Sequence, residues 1–278
     1  MTIDLGRFGI WRGGHSLTPE LAAELDDLGY GTIWIGSSPS ADLKLAEQLL
    51  DATKRIVVGT SVVNVWISDP VELAAAYQRI EERHPGRFML GIGIGHPEQS
   101  AKYRSPYQTL VEYLDALDEG GVPVERRALA ALGPRVLRLS RDRTAGALPY
   151  LVPVAHTKIA RETLGPDALL AVEQKVVIAD DPERGRTIGR ARVETPYLGL
   201  VNYTNNLRKL GYTDEDLAGS GSDRLIDDLV VHGPADQVAA GLIKHLDAGA
   251  DQVVAQVLTG PGDDVVDHYR RLAGALAL

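Results

Sequence analysis

The chain has 278 residues, with 29 Lys and Arg against 38 Asp and Glu, a formal net charge of −9, and no cysteine. The missing thiols exclude a disulfide scaffold, a thiolate nucleophile, a Cys-ligated zinc and an iron–sulfur cluster, and they fit a reducing compartment. The acidic balance argues against non-specific binding to nucleic acid or to a membrane surface. The N-terminal MTIDLGRFGIW lacks the basic run and apolar stretch of a signal peptide, so a soluble, cytoplasmic protein is expected.

Short apolar segments alternate with helical ones along the chain. Residues 7–11 (RFGIW) read as a first strand. Pro19 then opens a helix carrying Leu21, Leu25 and Leu28, and Gly29 is placed to end it. Residues 32–35 (TIWI) are the second strand and 41–52 the second helix. A β-branched run at 56–63 precedes a helix over 71–83, and a fourth strand at 88–94 (FMLGIGI) precedes a helix over 106–119. The second half keeps the rhythm, with strands at 127–132, 146–153 and 175–179. Helices follow each of them at 134–141, 156–164 and 182–194. Residues 197–221, rich in Asn, Gly and aromatic side chains, break the pattern and read as an insertion. A helix over 235–248, a strand over 252–258 and a helix over 263–277 complete the chain.

Apolar runs without alternation are what a parallel sheet covered on both faces requires. One internal echo supports repetition. In 26–35 (DDLGYGTIWI) and 246–255 (LDAGADQVVA) a helix ends at a glycine and a strand begins three residues later. Eight strands, each followed by a helix or an insertion, predict a closed (β/α)8 TIM barrel occupying residues 1–278 as one domain. A doubly wound open sheet is the alternative, and would need fewer strands.

In such a barrel, chemistry belongs at the C-terminal ends of the strands. Trp11, Trp34 and Trp66 fall near one rim, where a large ring can line a pocket for a flat conjugated ligand or, for Trp34, fill the interior. Gly91, Gly93 and Gly95 close the fourth strand. Their G-x-G-x-G spacing is not the dinucleotide fingerprint, but the missing side chains allow close approach by a ligand or a neighbouring backbone. His96 follows directly and His15 lies beyond the first strand; both are candidates for proton transfer. The remaining histidines show no metal-ligand spacing, and neither H-E-x-x-H nor G-x-S-x-G occurs, so no metal is expected. Residues 59–64 (GTSVVN) offer hydroxyls to a heterocycle edge or are ordinary strand filler. Residues 130–134 (AALGP) either present free N–H groups to a phosphate or form a plain turn.

Together these strand ends resemble the luciferase-like monooxygenase superfamily, and within it the actinobacterial oxidoreductases that use the deazaflavin coenzyme F420. The resemblance runs through 29–35, 59–64, 87–95 (RFMLGIGIG), 131–134, 145–153, 156–166, 197–211 and 246–254. It implies a barrel with an insertion, a flavin-like ring at the C-terminal mouth and a homodimer. It also implies a non-proline cis peptide backing the ring, here between Ser61 and Val62. Asn64 then matches a ring-edge contact, Gly93, Gly95 and His96 the strand-four contacts, and Leu132 and Gly133 with Tyr150 and Leu151 a phosphate pocket. Trp34 joins the ring pocket. Lys158 and Arg161, beyond strand six, are assigned by charge to the coenzyme's acidic tail.

The chain also departs from that pattern. Dehydrogenases of the superfamily carry Asp or His just after strand two, where this chain reads GSSPS at 36–40. Their strand-four acid is replaced by His96, with Glu98 two residues later. Proton transfer is therefore expected from His96 or His15, or from neither if the substrate needs no strong acid. The implied activity is hydride transfer between F420 and a small organic substrate. An FMN-dependent monooxygenase, and a cofactor-binding protein without turnover, are the alternatives.

Overall fold

Both faces of a strand in a helix-covered parallel sheet meet apolar neighbours, so almost every residue of such a strand is buried. That is the state of Phe8–Gly13, Thr32–Gly36, Val57–Thr60 and Phe88–Gly93, in which Arg12 alone is partly exposed. The computed structural model describes residues 3–95 and 105–278. In chain order the elements are β1 (Phe8–Gly13), α1 (Pro19–Asp27), β2 (Thr32–Gly36), α2 (Lys44–Asp51), β3 (Val57–Thr60), β4 (Val63–Asn64), α3 (Pro70–Arg83) and β5 (Phe88–Gly93). Then come α4 (Pro106–Glu119), β6 (Arg127–Leu129), α5 (Pro134–Arg143), β7 (Gly146–Ala147), α6 (Val154–Leu164), β8 (Leu169–Ile178) and α7 (Pro182–Glu194). The chain ends with α8 (Val201–Lys209), α9 (Asp214–Leu217), α10 (Asp223–Leu229), β9 (Val230–Gly233), α11 (Ala235–Asp247), β10 (Gln252–Val257) and α12 (Val265–Leu276).

All pairings are parallel, and the sheet closes because β10 pairs with both β1 (Phe8↔Val253) and β8 (Gln252↔Ala171). β3 and β4 both pair with β5 and make one stave between them. The result is a barrel of eight staves. β9 is an extra strand along the C-terminal half of β8 (Val176↔Val231), on the edge that β7 leaves free by pairing only with Leu169 and Leu170.

Local chemistry sets the helix ends. Asp69 accepts the Val71 and Glu72 N–H groups ahead of Pro70, and Thr18 accepts that of Leu21. The internal echo is structural: Gly29 (φ +91) and Gly249 (φ +100) are both left-handed. The residue after each returns its N–H to the helix, Tyr30 to Leu25 and Ala250 to His245.

Several elements differ from the sequence reading, among them the seventh strand, which begins at Leu169 and not at residue 175. The third strand is interrupted between Thr60 and Val63, where the Ser61–Val62 bond is cis. The sixth stave shrinks to two paired residues, because Pro149 and Pro153 have no N–H to give and Leu151 is left-handed (φ +55). Residues 197–221 contain helices α8 and α9, and β9 escaped notice as a four-residue strand directly behind the charged α10. Among the described residues no helix is long and apolar enough to cross a membrane.

A buried imidazole laces α6, α11 and β8 together. His245 Nε2 donates to Gln174 Oε1 (2.7 Å), so its Nδ1 accepts from Thr157 Oγ1 (2.7 Å). Burial pushes its pKa down to about 4. The unfolded chain therefore takes up the proton first, and stability is lost as the pH falls from the ordinary histidine value near 6.5 towards 4. The expected loss is about 3 kcal/mol, read from urea denaturation across that range. His245→Gln should flatten this part of the profile.

Candidate functional site

A cavity of about 570 Å³ opens at the C-terminal ends of the staves, within the range of small-molecule sites. Trp11 enters from β1, Ser37 and Ser38 from the turn after β2, and Ser61 and Val62 from the break between β3 and β4. Gly93 and Gly95 come from the end of β5, Leu132 and Gly133 from the turn into α5, and Tyr150 from beyond β7. Tyr197, Tyr203 and α8 close the far side.

The glycines shape this space. A Cβ on Gly93 would fall 2.4 Å from Val62 Cγ2 and 3.2 Å from Ala130 Cβ, so bare backbone lets those two side chains close into an apolar floor. Gly95 is left-handed (φ +65), and a Cβ there would meet Asn64 Nδ2 at 2.9 Å. Asn64 spends its carbonyl oxygen on the Trp66 N–H (3.0 Å), which leaves Nδ2 as a donor at the rim. Gly133, the N-cap of α5, has nothing within 4 Å of where a Cβ would sit, so the helix N-terminus is open to approach. The indole of Trp11 donates to the Ser61 carbonyl (3.3 Å), and its ring lies 5.6 Å from that of Tyr150. A flat slot with a donor at one edge and an anion-favouring helix end fits a planar conjugated ring that bears a phosphate.

A buried polar assembly holds the tyrosine wall. The Lys175 ammonium bonds Glu173 Oε1 (3.1 Å) and sits 3.9 Å from the centroid of the Tyr150 ring and 5.0 Å from that of Tyr197. Glu173 Oε2 also accepts the Leu151 N–H (3.0 Å). Tyr150 donates to Gln256 Oε1 (2.9 Å), so Tyr197 is the donor in their 2.7 Å contact. Burial, with the Glu173 carboxylate behind it, holds the Tyr150 phenol far above its ordinary range, and Tyr150 stays protonated. Burial pushes Lys175 down to about 8, against the pull of Glu173.

Of the residues singled out from sequence, the structure gathers Ser61, Val62, Asn64, Gly93, Gly95, Leu132, Gly133 and Tyr150 around one cavity. His96 lies outside the described residues. Six others are elsewhere. Trp34 is buried inside the barrel, its indole donating to Gln252 Oε1 (2.8 Å) at the start of β10. Leu151 turns its side chain into the apolar cluster under α8–α10. His15 faces a neighbouring cavity with Arg12 and Thr195, beyond Trp11 and Gln256. Lys158 lines a separate groove beside Lys244. Arg161 is two turns along α6, at the opposite end of the barrel, held by the Gly165, Ala168 and Gly249 carbonyls and the Asp251 carboxylate. Trp66 packs partly buried against the layer between sheet and helices. Sequence reasoning passed over Glu173 and Lys175, whose signal was two charges flanking Gln174 inside an otherwise apolar strand. It also passed over the polar face of α8.

Lys175→Met should strand the Glu173 carboxylate in the interior and lower stability by about 3–5 kcal/mol in chemical denaturation. The double variant Lys175→Met/Glu173→Gln keeps an acceptor for the Leu151 N–H and should recover most of that loss.

Residues 15–120 match the family described as luciferase-like monooxygenase. A protein of Mycobacterium tuberculosis named coenzyme F420-dependent oxidoreductase Rv3520c is 25% identical over 144 residues, covering 49% of this chain and 41% of the relative. The 4-hydroxyprotoasukamycin monooxygenase of Streptomyces nodosus is 34% identical over 206 residues, covering 62% and 55%. The chain thus spans about half the length of these relatives. Among solved structures, an F420-dependent secondary alcohol dehydrogenase with an F420–acetone adduct superposes with TM-score 0.72 at 13% identity, over 99% of both chains. The oxygenating constituent of the 3,6-diketocamphane monooxygenase of Pseudomonas putida, in complex with FMN, gives 0.66 at 15%, over 97% of this chain and 96% of that one. At such identities these structural likenesses concern the fold. Over residues 15–120 the chain is thus similar to the luciferase-like monooxygenase family, and its barrel is the fold in which those F420- and FMN-dependent enzymes are built.

Proposed function

We propose that the chain is an oxidoreductase that holds coenzyme F420 across the mouth of the barrel and passes hydride between it and a small organic substrate. The observation that carries this reading is the flat slot: Val62 and Ala130 closed over the bare backbone of Gly93, with Trp11 and Tyr150 beside them and the Asn64 amide at the rim. When bound, the deazaflavin ring supplies or takes up the hydride. The chain does the rest. Asn64 Nδ2 orients an acceptor on the ring edge, and the open N-terminus of α5 at Gly133 attracts phosphate. Trp11 and Tyr150 keep water from one side, and Tyr150, protonated and committed to Gln256, holds its position without taking a proton from substrate. The F420 in the names of one sequence relative and one structural neighbour supports this choice.

A second reading, an FMN-dependent monooxygenase, is favoured by the 34% identity to a named monooxygenase and by the FMN-bound neighbour. Trp11, at the cavity, supplies a fluorescence signal for titrations with F420, FMN and NADPH side by side. Quenching that saturates with F420 at micromolar concentration is expected. Preference for FMN would move the assignment to the second reading, and binding of neither would end both. Gly93→Ala should drive the Val62 methyl into the slot and weaken the preferred ring by at least about tenfold, or about 1.4 kcal/mol, with the far-ultraviolet circular dichroism unchanged.

A further inference from the structure

Helix α8 is held by its apolar side. Tyr203 and Leu207 belong to the cluster that also contains Leu225 and Val230. The opposite face lines the cavity, and there Asn202 and Lys209 each lie three or four residues from the adjacent pair Asn205 and Asn206, so that the four share one stripe. Lys209 is the one charged side chain among the described residues that line this cavity, and it is exposed. No carboxylate pairs with it among the described residues, whereas its neighbour Arg208 is held by Asp214 at 2.8 Å. The amide nitrogen of Asn206 is shielded from solvent and finds no acceptor among the described residues. Asn205 turns its oxygen to Arg208 (3.4 Å), which leaves its nitrogen as a further donor. The Asn206 amide without an acceptor and the Lys209 ammonium without a carboxylate both line the cavity, and no described residue supplies the acceptor that they call for.

We infer that this face of α8 binds an oxyanion carried by the molecule in the cavity, with Lys209 providing the charge and Asn206 a hydrogen bond. The inference rests on the proposed function for the identity of that molecule. The oxyanion is either the cofactor's phosphate or a carboxylate on the substrate; the chemistry is shared, and charge-assisted hydrogen bonds give it its strength.

The test uses the full chain with Lys209→Gln and Asn206→Leu. FMN and riboflavin share a ring and differ by the phosphate, so both are titrated by fluorescence. Benzoate and benzamide are titrated into the protein saturated with its preferred cofactor. Inorganic phosphate is followed by its shift of Tm. Lys209→Gln is expected to weaken FMN by about tenfold or more while sparing riboflavin, which assigns the phosphate. If FMN is unaffected and benzoate weakens with benzamide unchanged, the substrate's carboxylate is assigned instead. Asn206→Leu should raise the Tm of the ligand-free protein, because it removes a buried donor without an acceptor, and should shrink the phosphate-induced shift. A purely structural role for Asn206 would lower the ligand-free Tm. Equal affinities for all four organic probes in wild type and Lys209→Gln, with an unchanged phosphate shift, would overturn the inference while leaving the proposed function standing. If neither F420 nor FMN binds the wild-type protein, the proposed function falls, and the phosphate shift alone decides for or against α8.

Discussion

Inside the barrel the indole of Trp34 lies on the bare backbone of Gly59, where a Cβ would come within 2.6 Å of the ring. Trp11 does the same at Gly36, where the distance would be 2.0 Å. A cylinder of eight strands has room for side chains and little else, so large rings are accommodated only where the facing position is empty. The two tryptophans are register partners on β1 and β2 but serve opposite ends. Trp34 bonds Gln252 at the N-terminal start of β10, and Gln252 in turn bonds the Leu5 carbonyl and Thr32. That end is plugged. Trp11 reaches the Ser61 carbonyl between β3 and β4, at the end left open. Because one ring packs the interior and the other walls the cavity, the packing that closes the barrel also sets the depth of the site.

Above this layer the interior becomes polar. Burying an ion pair such as Lys175–Glu173 is costly unless its remaining hydrogen-bonding capacity is met, and here the Leu151 N–H and two aromatic faces meet it. The pair ties β8 to the loop after β7 and to the segment leading into α8 through Tyr150 and Tyr197. A cavity wall built on such contacts is braced by residues from several staves. The floor at Gly93 and the wall at Tyr150 therefore present a slot of defined width, which suits recognition of a flat ring more than of a flexible chain.

Much of the barrel was legible in the sequence, since its elements are set by local rules. Apolar runs without alternation named the staves, Pro19, Pro134 and Pro182 opened helices, and Gly29 and Gly249 ended them in a conformation that other residues rarely adopt. Half of the cavity was legible for the same reason: Gly93, Asn64 and Gly133 stand at strand ends, and strand ends share one rim. Where assignments rested on residue type alone, they strayed. Arg161 was chosen for its charge, yet a helix that leaves the rim carries its later residues away from it, and the carbonyls around Gly165 and Gly249 claim that charge. His15 is near the rim in sequence but on the other side of the Trp11–Gln256 partition.

By itself the sequence determined the count and order of the staves and most of the helices between them, because these follow from periodicity, caps and backbone conformation within a few residues. The tertiary structure alone decided that Trp34 plugs the interior, that Glu173 and Lys175 support a tyrosine wall, and that α8 turns its amides and Lys209 toward the mouth. Each of these joins residues far apart in the chain, such as Trp34 with Gln252 or Tyr150 with Gln256. No local pattern encodes such pairs. They are selected when the staves close and each side chain must find volume, or a hydrogen-bond partner, among neighbours that only closure brings near.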